Sequence, residues 1–353
     1  LTLPDEVFRY DGDSGVVTPL DPIEDCTSWI SGLRSKGYTS DILRTVHGAT
    51  KVKDIHDRAD LIAIYSSNAV GFIDQAYSGP AEISFLPLYY SILNLSKAYI
   101  AIAGSQKLLI TNRRHGVSYN TMRRPSKDIL DDEVTAWTKG VFPVFYSIIT
   151  GEILTNRDIS IRLRDIYPYI TNIAHEYEHA YSRKMCLQPI SIRAIEYESK
   201  KFRFHVNLVD SDCPFAFNRR YLKLFRGFNR LDPKNPKVLV SPGVTAASIE
   251  KAVPILKSQI NRFLIYHSRT VMGDILPLTP LSAKRYYLPE EVPIWIAFFH
   301  LSSIARYKPE FLAQLIDSKS WPILLSLRKH SILKFLLLFW SFLHQSSYHL
   351  IIA

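Results

Sequence analysis

Between Glu82 and Ala103 the chain is apolar on nearly every face of a helical projection. A helix with one apolar stripe can lie on a surface, but one that is apolar all round has to be enclosed by other elements. The preceding stretch, Asp54 to Tyr77, places Ile55, Leu61, Ile62, Tyr65, Ala69, Phe72 and Ile73 at helical spacing. Gly79-Pro80 interrupts the pattern and Gly104 ends it. Two long helices joined by a short turn imply an antiparallel hairpin whose second member lies at the centre of a helical core.

The remainder reads as a mostly helical α+β protein, a helical core with a small β-rich insert. Residues 1–50 look irregular, with one short helix around Cys26–Ser35. Residues 51–185 form the first part of the helical core. Within it 105–127 reads as a loop, Thr135–Gly151 as a short strand or turn ending in Gly140-Val141-Phe142-Pro143, and Ser160–Arg183 as a helix broken near Pro168. Ile190 to Val209 changes to strand alternation, with Phe202, Phe204, Val206 and Leu208 on one face, and Val238-Leu239-Val240 is a further strand. Residues 186–242 are therefore the β-rich insert. Helical patterns return over Thr245–His267, Glu291–Arg306 and Trp321–Leu343, making 243–353 the C-terminal part of the core. Arg306, closing the apolar run Ile294–Ala305, is expected to be buried and to bond the last carbonyls of its helix.

Three cysteines, Cys26, Cys186 and Cys213, lie far apart with no C-x-x-C pair, which excludes a disulfide framework and suits a reducing, cytoplasmic setting. The most apolar run, Ile332–Leu343, falls short of the roughly 20 residues a bilayer needs and contains Lys334, so no membrane contact is expected. A hydrophobic content of 47% excludes disorder.

The net charge of +10 is unevenly spread. Lys107 to Lys127 carries six Lys and Arg and no acid, and Lys201 to Lys237 carries nine against Asp210, Asp212 and Asp232. Such clustering is the footprint of a polyanion partner, although a solvated basic surface produces it too. The candidate anion contacts are Arg113, Arg114, His115, Arg123, Arg124 and Lys127. Arg113, Arg114 and His115 are placed to converge on a phosphate, with Gly116 giving the backbone close approach. Tyr119 and Asn120 add stacking and base-edge hydrogen bonding. The expected partner is nucleic acid or another phosphorylated ligand, with a protein partner as an alternative.

His175-Glu176-Tyr177-Glu178-His179 is a literal H-E-x-x-H, in which two imidazoles one helical turn apart can share Zn²⁺ while the glutamate activates water. Its surroundings argue against zinc. Charged Glu178 occupies a position that such helices keep uncharged, and no third ligand comes from a following helix; Glu196 and Glu198 fall at a plausible distance but lie in an alternating strand. The alternative is a surface helix with Ile173, Tyr177 and Ala180 inward. Arg262 and His267 have the R-x4-H spacing of metal-independent ribonucleases, a spacing that chance placement readily produces. Nucleotide loops and hydrolase elbows are missing, and no cofactor or metal is expected.

Several segments in order resemble the YaaC-like family of bacteria: Phe85 to Ala98, then His115-Gly116, Gly140-Val141-Phe142-Pro143, Leu163 to Ile170 and Leu301 to Tyr307. The resemblance spans roughly residues 55–345 and implies no reaction. Residues 55–116 are also loosely similar to helical HEPN-type proteins, many of which act on RNA or in conflict with phages. The expectation is a binding protein that engages nucleic acid or a phosphorylated partner through its basic loop, with bacterial anti-phage defence as a setting. A HEPN-like ribonuclease is the runner-up, and a zinc hydrolase using His175, Glu176 and His179 comes last.

Overall fold

The computed structural model describes residues 16–17, 21–108, 114–119, 128–151, 153–154, 159–183, 187–208, 230–232, 235–249, 251–252, 255, 269–270, 273–277, 289–344 and 349–350. The chain divides into two compact units. One comprises Val17–Cys186 with Thr279–Gln345, and the other Leu1–Val16, Leu187–Leu278 and Ser346–Ala353.

The larger unit begins with helices α1 (Pro22–Gly32) and α2 (Lys36–Thr45), where the sequence suggests a mainly irregular segment. Local capping explains the difference. The Asp21 carboxylate accepts from the Glu24 amide at 3.0 Å with Pro22 opening the helix, and Ser35 caps the Tyr38 amide at 3.4 Å. Helices α3 (Val52–Tyr77) and α4 (Ala81–Ile102) form the expected hairpin. Helix α4 also packs against α5 (Val141–Thr150), α7 (Glu291–Tyr307) and α10 (Ile332–His344). Leu88, Ile92, Leu95, Ala98, Ile100 and Ala101 are consequently fully enclosed.

Arg58 of α3, itself buried, closes the C-terminus of α4. Its Nε donates to the Ala101 carbonyl at 2.8 Å, a terminal nitrogen donates to the Ile102 carbonyl, and Asp54 pairs with it at 3.3 Å. The last carbonyls of a helix have no partner within it, and a guanidinium also suits the negative end of the helix dipole.

A three-stranded antiparallel sheet joins β1 (Val117–Tyr119), β2 (Glu133–Ala136) and β3 (Ile159–Arg162) in that order, with Val117 opposite Ala136 and Glu133 opposite Arg162. Two expectations change here. The segment 105–127 is not wholly loop, since it contains β1, and Gly140-Val141-Phe142-Pro143 opens helix α5. After β3 come three 3₁₀ turns, Leu163–Asp165, Tyr167–Tyr169 and Thr171–Ile173, and only then helix α6 (Ala174–Tyr181). Pro168 provides no amide donor, so the segment tightens into turns that bury Tyr167 and Ile170.

The larger unit closes with α8 (Pro309–Ile316), α9 (Trp321–Ser326), a π turn over Leu327–Ser331, and α10. The wide turn places Arg328 so that it donates to Ser84 Oγ at 2.9 Å and to the Ala76 carbonyl at 3.2 Å. No helix among the described residues is long and apolar enough to cross a membrane.

In the smaller unit, β4 (Leu187–Glu198) and β5 (Lys201–Leu208) make a hairpin with Ala194 opposite Phe204. With β6 (Arg230–Asp232), β7 (Asn235–Val240), β8 (Val244–Thr245), β9 (Arg269–Thr270) and β10 (Gly273–Pro277), the strand order is β9-β10-β4-β5-β7-β6, and β8 lies beside β5. Phe202, Phe204 and Val206 are buried, as their alternation implies. Strands β8 to β10 carry the sheet beyond residue 242, the limit that the sequence suggests for the β-rich insert. The protein is thus mostly helical α+β.

Candidate functional site

The site is held by a joint between two distant segments. Val141 N–H donates to the Arg114 carbonyl and Phe142 N–H to the His115 carbonyl, both at 2.9 Å, while Trp137 N–H reaches the Gly116 carbonyl at 2.9 Å. The opening amides of α5 therefore bind the chain just before β1. Gly116 and Gly140 both lie at positive φ, +88° and +133°. Gly116 is buried against Pro143 and Gly140, so its missing side chain serves this crossing, whereas the sequence suggests approach to a ligand.

The joint fixes His115 in the wall of a cavity of about 290 Å³, shared with Tyr89, Ser118, Tyr119, Phe299, Arg306 and Tyr307. His115 Nδ1 lies 2.6 Å from the Tyr89 hydroxyl. Tyr89 is enclosed, its ring edge-on to Trp295 and Phe299 at 5.4 and 5.5 Å. Burial above all pushes its phenol well above the ordinary value. Tyr89 therefore keeps its proton, and because no other described acceptor takes that hydrogen, its O–H donates to Nδ1, which places the imidazole hydrogen on Nε2. Burial, then the positive charges of Arg306 and Lys97, lower the His115 pKa, so the ring is neutral in the free protein at neutral pH.

Arg306 departs from its expected place. It is exposed, and its guanidinium lies 5.5 Å from the Tyr90 ring and 5.7 Å from the Tyr307 ring while donating to the Tyr90 hydroxyl. The end of α7 is closed instead by the Lys308 amide on the Ile304 carbonyl at 2.8 Å. Lying along aromatic faces outside the core, the guanidinium has no carboxylate partner among the described residues.

The hydroxyls of the wall are mostly committed. Ser302 and Ser303 both donate to the Phe299 carbonyl, at 2.7 and 2.9 Å. Tyr119 donates to Asp132 Oδ2 at 3.0 Å, and buried His300 Nε2 meets the same oxygen at 2.9 Å. Burial, then Asp132, raises the Tyr119 phenol, so it too keeps its proton. The Tyr119 ring sits edge-on to His300 at 4.7 Å, so it is not the free stacking face the sequence suggests. Ser118 Oγ, by contrast, accepts from Trp137 Nε1 at 2.9 Å, and its own hydrogen is left to point elsewhere.

Of the residues singled out from charge, Arg114 is exposed next to His115, and His115 enters the cavity. Arg113, Asn120, Arg123, Arg124 and Lys127 lie outside the described residues, as do Arg262 and His267. On α6, His175 and His179 are exposed, while Glu176 accepts from Ser326 Oγ at 2.6 Å. Ile173 and Tyr177 point inward. Among the described residues no three His, Cys, Asp or Glu side chains are grouped to hold a metal ion.

Charge reasoning missed Arg306, Tyr90, Ser118 and Tyr307. The signal available for all but Ser118 was the set of resembling segments. Phe85–Ala98 supplies Tyr89 and Tyr90, His115-Gly116 the imidazole, Gly140–Pro143 the joint, and Leu301–Tyr307 the guanidinium. These stretches, dispersed in sequence, meet at one cavity. No curated protein and no solved structure matches the chain. The YaaC-like protein family matches residues 33–343, most of the chain, and the protein belongs to that family.

Proposed function

We propose that this protein binds single-stranded nucleic acid, taking a phosphate of the strand into the cavity of His115 and Arg306. One observation carries the reading. His115, from a segment of six cations and no acid, lines the same cavity as Arg306, a cation with no carboxylate partner among the described residues. An unpaired guanidinium gains charge-assisted hydrogen bonds from a phosphate. Exposed Tyr307 offers a face on which a base can stack. Lys107–Lys127 supplies further cations for the backbone, as its composition leads one to expect.

Retention of a single-stranded oligonucleotide at low salt tests this. Affinity should fall with salt at a log–log slope of about −0.7 per phosphate contacted. Arg306→Glu should weaken binding strongly, and Arg114→Glu should weaken it less. A wild-type protein that retains neither RNA nor DNA at low salt contradicts the proposal.

A further inference from the structure

We infer that the cavity recognises a terminal phosphate monoester, held by the Arg306 guanidinium, His115 Nε2–H and the Ser118 hydroxyl. The inference rests on the reading above and narrows it from a phosphate of the strand to a phosphate at its end.

Hydrogen-bond accounting selects the donors. Tyr89 is committed to His115, Tyr119 to Asp132, and Ser302 and Ser303 to the Phe299 carbonyl. Arg306, His115 Nε2 and Ser118 are left with hydrogens that no described acceptor takes. A terminal phosphate presents three strong acceptor oxygens. An internal phosphodiester has only two that are not bonded to carbon.

Charge points the same way. The groups around His115 are Tyr89 and Lys97 from α4, Arg306 and Tyr307 from α7, and Arg114 beside it in the chain. None is an acid, and the carboxylate behind the wall, Asp132, is engaged by the Tyr119 hydroxyl and His300, so the lining itself carries no negative charge. A monoester brings about −1.5 to −2 near pH 7, against −1 for a diester. It can balance Arg306 and also a proton taken up by His115, whose neutral state in the free protein comes from burial and positive neighbours. The size agrees too. About 290 Å³ is at the lower end for small-molecule sites, room for one end group and its sugar.

The same chemistry is offered by a strand end and by a free mononucleotide, and calorimetry can separate them. Wild-type protein is titrated with an oligouridylate bearing a 5′-phosphate, a 3′-phosphate or hydroxyls at both ends, and with uridine 5′-monophosphate. One phosphorylated oligomer should bind at least about tenfold more tightly than the hydroxyl-ended one, the worth of one charge-assisted hydrogen bond. That preference should vanish in Arg306→Ala and shrink in Ser118→Ala, both checked for an unchanged melting profile. Equal affinity for all three oligomers overturns the inference and leaves nucleic-acid binding standing. Binding of the mononucleotide alone keeps the terminal-phosphate site and overturns the strand. Absence of binding by every ligand overturns both.

Discussion

A β-carbon built on Gly140 would stand 2.3 Å from the Gly116 Cα and 2.4 Å from its nitrogen. One on Gly116 would meet Pro143 Cδ at 2.5 Å. The two backbones touch where the chain enters β1 and α5, and that contact decides where His115 points. Gly140→Ala places a methyl against backbone that cannot move aside, at a φ that L-residues avoid. It should cost about 3 kcal/mol or more in urea denaturation. Gly71, inside α3, has ordinary φ, and a methyl added there would meet nothing within 4 Å. Gly71→Ala should gain about 0.5–1 kcal/mol. If the two variants proved equally stable, the joint would not be the constraint described.

Arg58→Met keeps most of the side-chain volume but removes the guanidinium that satisfies the Ala101 and Ile102 carbonyls. Leaving those acceptors unpaired should destabilise the protein by about 2–4 kcal/mol. Arg306→Ala touches no buried acceptor and should change stability by less than about 0.5 kcal/mol. The pair of melts distinguishes a structural arginine from a binding one. Equal losses would contradict both assignments.

His115 makes stability depend on pH. Its folded-state pKa lies below the unfolded value near 6.5, so as pH falls the unfolded chain takes up the proton first. Stability from this group is present above about pH 6.5 and declines as pH drops toward the folded pKa. His330 and His344, lowered chiefly by burial, act in the same sense. Glu291, raised to about 7 by burial, acts in the opposite sense, so the contribution of His115 is read as a difference: between about pH 7.5 and pH 5.5 the wild-type melting temperature should drop relative to that of His115→Gln. A variant with the wild-type pH profile would show that His115 does not contribute.

The α3–α4 hairpin was legible because a helix apolar on every face has one physical solution. Helices α1 and α2 were not, since their start depends on the single side chains of Asp21 and Ser35 and not on a long period. The sheet beyond residue 242 was hidden because β8 and β9 span only two residues each, too short to show alternation. His115 was found through the charge of its segment. Arg306 was misplaced because an arginine ending an apolar helix suggests capping, whereas the end of α7 is closed by the Lys308 backbone amide. Ser118 could not be read at all, since its free hydrogen depends on Trp137 across the sheet.

The H-E-x-x-H helix should behave as a structural surface. His175 and His179 are exposed, and Glu176 is engaged with Ser326. Purified protein should carry no stoichiometric zinc, and His175→Ala should change stability by less than about 0.5 kcal/mol. Zinc at one equivalent by elemental analysis, lost in that variant, would contradict this.

Whether His115 and Arg306 form the phosphate site can be read at the atom concerned, by nitrogen NMR of protein labelled at its histidine rings. His115→Gln identifies the resonances. In the free protein at neutral pH, His115 should appear as the neutral ring with hydrogen on Nε2. Saturation with an end-phosphorylated oligonucleotide should move both nitrogens to imidazolium positions, and Arg306→Ala should prevent the change. His115 resonances that stay fixed while the protein is saturated with ligand would contradict the assignment of the site.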